Sequence, residues 1–426
     1  MLRIDELEHL PPVLSLLLYE MGHCKSWDDM RKRVKSMLKD LSNQAEIFDD
    51  HQVTQRENFT GFDTHLHGAT DLLSYGHSCS SLDCRIAAAD RVARSFGLLS
   101  DRIWMTDLLS EKFLDFGEPT DAKIDNVIED TLVITRLLPL ISAGILRFKS
   151  PWLSTCNSCL EEFERQVEIS TAELTDIFIS EFKIHKRDGG DFYVDTGTCF
   201  DPSLRIVSQT NSGDKFPTLR EITEKCIYNE IRTALWTARE ASFTKGAVVS
   251  NSRVAMAGLL KQDGRLNDVN TLKLLDNERG LTIPWVSELD PMQIIDLRQE
   301  ASEALPFFRE KFAQAMAIDN STNNNQDSLK KLITELREQS IEVRAELTSL
   351  QKNSSRFWKT TYGVLGLSIS AYGVANDEVF AGMAGLLPII HLLIDHKSGH
   401  EAEVSKITSK PGYILIKAQD ILAHAH

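Results

Sequence analysis

Apolar positions in this chain recur mostly at steps of three and four residues, which gathers them on single helix faces; only short stretches alternate or run continuously as strands do. Pro11-Pro12 sets the start of a first helix reaching Met21. A second, charged helix is expected over 27–48, with Met30, Val34, Met37, Leu38 and Leu41 on one side. Over 51–82 the pattern lapses into Thr, Ser, Gly, Asn and His, and a long irregular loop is expected. Asp83 then reads as the N-cap of a helix that runs to Phe96 and stops at Gly97.

Apolar runs bounded by turns, at 102–106 and 145–148, predict two strands separated by a helix at 121–138, and with them a small α/β unit over 83–150. A helix over 160–178 follows. A hairpin is expected from 182–186 and 191–195 around Asp188-Gly189-Gly190, with 204–208 as a third strand. A strong helix at 218–243, a buried strand at Ala247-Val248-Val249 and a helix from Arg253 complete this region. Asp290-Pro291-Met292-Gln293 has the residues of a capping box with proline at the first helical position, and its helix is expected to reach Ile318 with a kink at Pro306.

The organisation expected is therefore α+β and predominantly helical. N-terminal helices occupy 1–50, the irregular loop 51–82, a central body with a small mixed sheet 83–318, a polar asparagine-rich linker 319–327, and a C-terminal module 328–426. In that module Leu329, Ile333, Leu336, Val343, Leu347 and Leu350 follow heptad spacing, with Ser340 at one seam position and charged residues on the flanks. Such a stripe needs a covering helix, either from its own domain or from another copy.

Two apolar runs follow, at 362–375 and 379–394, joined by Asn376-Asp377-Glu378. They read as a helical hairpin with an acidic tip. Small residues four apart (Gly366 and Ser370, Ala381 and Gly385) permit close helix approach of the kind common in membranes. Arg356, Lys359 and Lys397 lie at the open end, Trp358 and Tyr362 sit at an interfacial position, and both features fit a bilayer. Length argues the other way: runs of this size make helices of roughly 21–24 Å, against a hydrocarbon core of about 30 Å. Pro388 and His391 add cost within the second run. The choice between lipid and protein cover stays open at this point.

Composition narrows the function classes. Hydrophobic residues make up 42% and charged residues 26% of 426, which suits packed domains and not a disordered chain. A net charge of -15 disfavours nucleic acid as a partner, because only short basic clusters interrupt it. Seven cysteines without a dense framework point to a reducing, cytoplasmic setting, and the acidic start of the sequence lacks the pattern of an export signal.

Candidate chemistry is sparse. Asp63-Thr64-His65-Leu66-His67 resembles the metal-binding Asp-x-His-x-His of amidohydrolases. The match covers only these residues, the preceding 57–62 is not an apolar strand, and between His77 and His391 the sole histidine is His185. Cys156-Asn157-Ser158-Cys159 has the spacing by which two thiolates reach one zinc ion, and His65 and His67 are the partners expected for a structural zinc site with Cys156 and Cys159. A redox role wants such a pair at a helix N-terminus after a strand, and Pro151-Trp152 intervenes. Glu181-Phe182-Lys183 resembles the Glu-x-Lys of metal-dependent nucleases. No phosphate-binding glycine loop, nucleophile elbow or dinucleotide fingerprint is present.

The pattern as a whole supports a non-enzymatic interaction protein. Its body would recognise a protein partner, and its C-terminal module would associate with itself or with a membrane through Leu336, Val343, Leu347, Leu350, Gly366, Ser370 and Gly385. The alternative is a soluble metal-dependent hydrolase or nuclease. If lipid covers the apolar runs, the purified full chain floats with anionic liposomes and a chain lacking 356–397 does not; equal recovery of both in the soluble fraction removes membrane contact.

Overall fold

The structure, a computed structural model, describes residues 10–47, 61, 63–67, 81–149, 155–186, 191–197, 199, 205–209, 216–244, 246–250, 252–262, 286–316, 325–358 and 405–424. The chain divides into two units, Met1–Asn277 and Glu278–His426. Helices predominate in both, and the strands belong to the first.

The first unit opens with α1 (Pro12–Met21), α2 (Trp27–Ser36) and α3 (Leu38–Ile47). The single helix expected over 27–48 is thus two, parted at Met37, whose backbone leaves the helical region (φ -112). Ser26 caps α2 by accepting the Asp29 N–H at 3.2 Å. Trp27 and Arg31 both donate to Asp125 (2.8, 2.6 and 2.7 Å), which fastens α2 to the later helix that carries Asp125.

A parallel sheet follows, built from β1 (Asp63–His67), β2 (Arg102–Thr106), β3 (Leu146–Lys149) and β7 (Ala247–Ser250) in the order β3-β2-β1-β7. Between β1 and β2 lies α4 (Leu82–Leu99); it passes Gly97, so that glycine does not end the helix. Helices α5 (Leu108–Leu114), α6 (Asp121–Arg136) and α7 (Leu138–Ser142) connect β2 to β3. After β3 come α8 (Asn157–Phe178) and a separate antiparallel sheet of β4 (Lys183–Lys186), β5 (Asp191–Asp195) and β6 (Arg205–Gln209). Then α9 (Leu219–Thr244) leads to β7, and α10 (Arg253–Gln262) follows it.

The expectation of one small mixed sheet is therefore corrected to two sheets, one parallel and one antiparallel. The expected loop over 51–82 is corrected as well, because it contains β1, a central strand paired on both sides. Its five residues are all buried although four are polar, and polarity is what hid it from a search for apolar runs. The β4–β5 hairpin, α8, α9 and α10 enclose an apolar core of Leu174, Phe178, Phe182, Phe192, Ile227 and Ile231. Each such side chain contributes about 1.5–3 kcal/mol on burial.

The second unit contains α11 (Pro291–Glu300), α12 (Leu305–Met316), α13 (Asn325–Trp358) and α14 (Tyr413–His424). Asp290 accepts the Gln293 N–H and Gln293 accepts the Asp290 N–H, both at 2.9 Å, which completes the expected capping box. Pro306 does not kink a continuous helix: α11 ends first, and the proline is the second residue of α12, where its missing N–H goes unused. On α13, Leu332, Leu336, Ser340 and Val343 are buried and Leu347 half-buried, within a unit where α12 and α14 both pack on α13. A Cβ on Gly412 would stand 2.7 Å from Ser340 N, and the Gly412 N–H donates to Gln339 Oε1 at 2.8 Å, so α14 begins directly against the α13 backbone. Lys410 binds Glu346 (2.7 and 2.8 Å) and Arg344 binds Gln419 (3.1 Å) along the same contact.

Among the described residues no helix is long and apolar enough to cross a membrane. The runs at 362–375 and 379–394, with Gly366, Ser370 and Gly385, lie outside the described residues, as does the side chain of Leu350.

At the amino edge of the parallel sheet, Arg102 donates to both oxygens of buried Asp63 at 2.7 Å. Arg102→Met leaves that carboxylate without its counter-ion and is expected to lower unfolding free energy by about 3–5 kcal/mol. Adding Asp63→Asn removes the stranded charge and recovers at least half of the loss in urea denaturation. Equal midpoints for the single and double variants would show that the pair is dispensable.

Candidate functional site

Side chains alternate across a strand, and the register of the parallel sheet sorts them into two faces. Ile103 and Met105 of β2 share a face with Leu146 and Phe148 of β3, and all four are buried apolar groups. The opposite face carries Asp63, His65 and His67 of β1, Arg102, Trp104 and Thr106 of β2, Arg147 and Lys149 of β3, and Ser250 of β7. Parallel sheets are usually apolar on both faces. Here one face is polar and nevertheless buried, and α9, which packs on β1 and β7, supplies its partners.

His65 Nε2 lies 2.9 Å from Thr244 Oγ1 of α9. The Thr244 hydroxyl itself donates to the Ala241 carbonyl at 3.2 Å, so it receives the His65 proton on Nε2. His65 Nδ1 is then an acceptor, buried and without a partner. Burial, helped by the charges of Lys149 and Arg102, pushes the His65 pKa down to about 3, so the ring is neutral. His67 is also lowered by burial, although Glu230 of α9, 3.8 Å from its Nδ1, opposes the shift.

At the carboxyl edge His67 pairs in register with Ser250, whose Oγ lies 2.8 Å from His67 Nδ1. The Ser250 hydroxyl oxygen also accepts the Ser252 N–H at 3.0 Å. Lys149, the last residue of β3, makes a buried ion pair with Glu240 of α9, and Trp236 donates to the same carboxylate at 3.2 Å. Beside it, Asp107 follows β2 directly, caps α5 through the Ser110 N–H (3.1 Å), and takes its own N–H to the Lys149 carbonyl (2.8 Å). Asp107 Oδ2 has no partner, and burial raises the carboxyl to about 6.

His67, Ser250 and Glu230 meet where the sheet changes direction. The chain leaves β1 for β2 on one side and returns to β7 on the other, and ligands of open parallel sheets sit outside the carboxyl ends at such a point. The arrangement holds and orients polar groups. It does not form a proton relay through His67, because Ser250 and Glu230 both face the same ring nitrogen.

Of the residues expected to hold zinc, His65 and His67 lie on this face and are engaged with Thr244 and Ser250. Cys156 and Cys159 are exposed at the start of α8. Among the described residues no three His, Cys, Asp or Glu side chains converge as a metal requires. Glu181, from the nuclease-like motif, is bound by Arg253 at 2.9 Å and lies on a single 3-10 turn before β4. Sequence reasoning missed Lys149, Glu230, Glu240 and Ser250. The available signal was the polar alternation of Arg102-Ile103-Trp104-Met105-Thr106 and Leu146-Arg147-Phe148-Lys149.

Comparison of this chain with protein families, with curated proteins and with solved structures finds no match. Its class rests on its own architecture: a predominantly helical protein built on a small parallel sheet, with buried polar groups at that sheet's carboxyl edge.

The histidines set a pH dependence. The unfolded chain protonates His65 near 6.5, whereas the folded chain resists until about 3. Unfolding therefore takes up a proton between those values, and stability falls as pH falls through that window. His65→Gln is expected to flatten the slope of unfolding free energy between pH 4 and 6 by about 1.4 kcal/mol per pH unit. Identical slopes in urea titrations of both proteins would mean that His65 titrates normally.

Proposed function

We propose that this chain is a non-enzymatic binding protein whose first unit holds a small polar ligand at the carboxyl edge of the parallel sheet, between β1 and β7. The observation that carries this reading is the polar face ending in His67, Lys149 and Ser250, of which His67 and Lys149 are buried. Burying charge and leaving acceptors unpaired costs several kcal/mol that an apolar face would avoid. A ligand that completes the hydrogen bonding gives that cost a use.

Charge at the edge selects the ligand class. Glu230 and Glu240 outnumber Lys149, and Lys149 is already neutralised by Glu240. A bare anion is repelled there, whereas hydroxyl and amine donors find acceptors. Nucleosides, sugars and small amines fit this chemistry, with nucleosides the first class to test because open parallel sheets bind them at this position. The second unit, with the apolar runs its sequence contains, would serve association with a partner protein, another copy or a membrane.

Glu230 is the accessible acceptor of the group, with a side chain 21% exposed. A panel of nucleosides, free sugars and amines, with inorganic phosphate as comparator, is expected to raise the melting temperature for one of the donor-bearing classes and not for phosphate. Glu230→Gln weakens that ligand tenfold or more in calorimetry, the loss of a hydrogen bond to charge worth about 1.5–3 kcal/mol. Stabilisation by phosphate alone, or unchanged affinity in Glu230→Gln, overturns the assignment.

A further inference from the structure

We propose that Cys156 and Cys159 form a redox-active dithiol that exchanges with low-molecular-weight disulfides. The sequence places Pro151-Trp152 between β3 and this segment, and the helix was expected to begin near Leu160. In the structure α8 begins at Asn157 and runs for 22 residues, so Cys156 is its N-cap and Cys159 lies in its first turn. The Cys156 carbonyl accepts the Leu160 N–H at 3.0 Å, which fixes that register.

Residues three apart on a helical turn stand about 5–6 Å from each other, inside the span that a disulfide bridges. Both thiols are exposed. The N-terminus of a long helix favours a thiolate, because its free N–H groups point at the sulfur. Cys156 Sγ lies 3.4 Å from Ser158 Oγ, and the Cys159 thiol is its hydrogen-bond partner as well. These bonds hold the Cys156 thiol down to about 7, while the same contact raises Cys159. The pair is therefore asymmetric: Cys156 attacks and Cys159 resolves. Arg239 of α9 donates to Thr155 Oγ1 at 3.0 Å and brings a positive charge to the same turn. Of the other described cysteines, Cys199 and Cys226 are buried, and burial raises Cys226 to about 11; Cys84 is exposed in the first turn of α4 but has no cysteine three residues away.

The reaction balances without another reagent. The Cys156 thiolate attacks one sulfur of a small disulfide such as glutathione disulfide; a mixed disulfide forms and one thiolate leaves. Cys159, giving up its proton, attacks the Cys156 sulfur, closes the Cys156–Cys159 bond and releases the second thiolate. The dithiol loses two electrons and two protons, and the small disulfide becomes two thiols.

The test equilibrates the full chain with glutathione at graded ratios, with a chelator present so that bound metal does not mask the thiols, and traps free thiols before peptide mass spectrometry. A Cys156–Cys159 disulfide is expected to form in proportion to the ratio. Cys159→Ser stops at glutathione mixed with Cys156, and Cys156→Ser forms no such adduct efficiently at Cys159. In the time course the glutathione adduct is expected at Cys156 before Cys159. Absence of the 156–159 bond at every ratio, or an adduct at Cys159 ahead of Cys156, overturns the proposal. Because no ligand of the sheet edge enters this measurement, its outcome is independent of the binding function proposed above.

Discussion

The first unit depends on partnering the polar side chains of one central strand. Asp63, Thr64, His65 and His67 are buried between two neighbouring strands, and each reaches a different part of the fold. Asp63 takes the Arg102 guanidinium and a longer bond from Trp104 (3.3 Å); Thr64 bonds with Ser100, just before β2. His65 reaches Thr244 at the end of α9, and His67 reaches Ser250 at the end of β7. An apolar strand would tolerate a slipped register, since one buried methyl replaces another. A strand of this composition cannot slip by one residue without moving Asp63, His65 and His67 to the opposite, apolar face and Thr64 away from Ser100. Register is specified here by hydrogen bonds in place of hydrophobic alternation. Gly246 adds a steric condition, because a Cβ there would stand 2.8 Å from the Asp63 carbonyl oxygen.

This explains how much of the fold was legible from sequence. Strands β2 and β3 were visible because their other face is apolar, and the capping box at Asp290 because its chemistry is local. The β4–β5 hairpin was readable from Asp188-Gly189-Gly190 between two short runs. β1 was invisible for a physical reason: its partners lie 36 to 183 residues away, and nothing within five residues signals that four polar side chains will be buried together. Asp63, His65 and His67 did stand out as a chemical motif, which the sequence alone could only compare with metal ligands. Lys149 and Glu240 were legible as charges but not as a pair, since 91 positions separate them.

The second unit follows the opposite logic. Its heptad stripe was plain in the sequence, and its cover was not, because a stripe of Leu336, Ser340 and Val343 accepts any apolar helix of suitable shape. What identifies α14 as the cover is close approach: glycine at position 412 lets the turn rest on the α13 backbone, and Lys410 and Arg344 pin it at the rim with Glu346, Gln419 and Asp420. Half-buried pairs of this kind at a helix rim restrict which helix fits. Over Leu332 to Val343, the stripe finds its cover within its own unit.

Helix α9 is where the first unit's separate features meet. Two consecutive residues serve two regions: Arg239 reaches the turn before α8 that carries the cysteine pair, and Glu240 neutralises Lys149 at the sheet edge. Trp236 joins them, with the Arg239 guanidinium over its ring at 4.7 Å and its Nε1–H on Glu240. Phe163 of α8 meets the same indole edge-on at 5.3 Å. Arg239 shares a helical turn with Glu240, the partner of Lys149. Because Lys149 in turn depresses both His65 and His67, the electrostatics of the buried face are tied to this one stretch of helix.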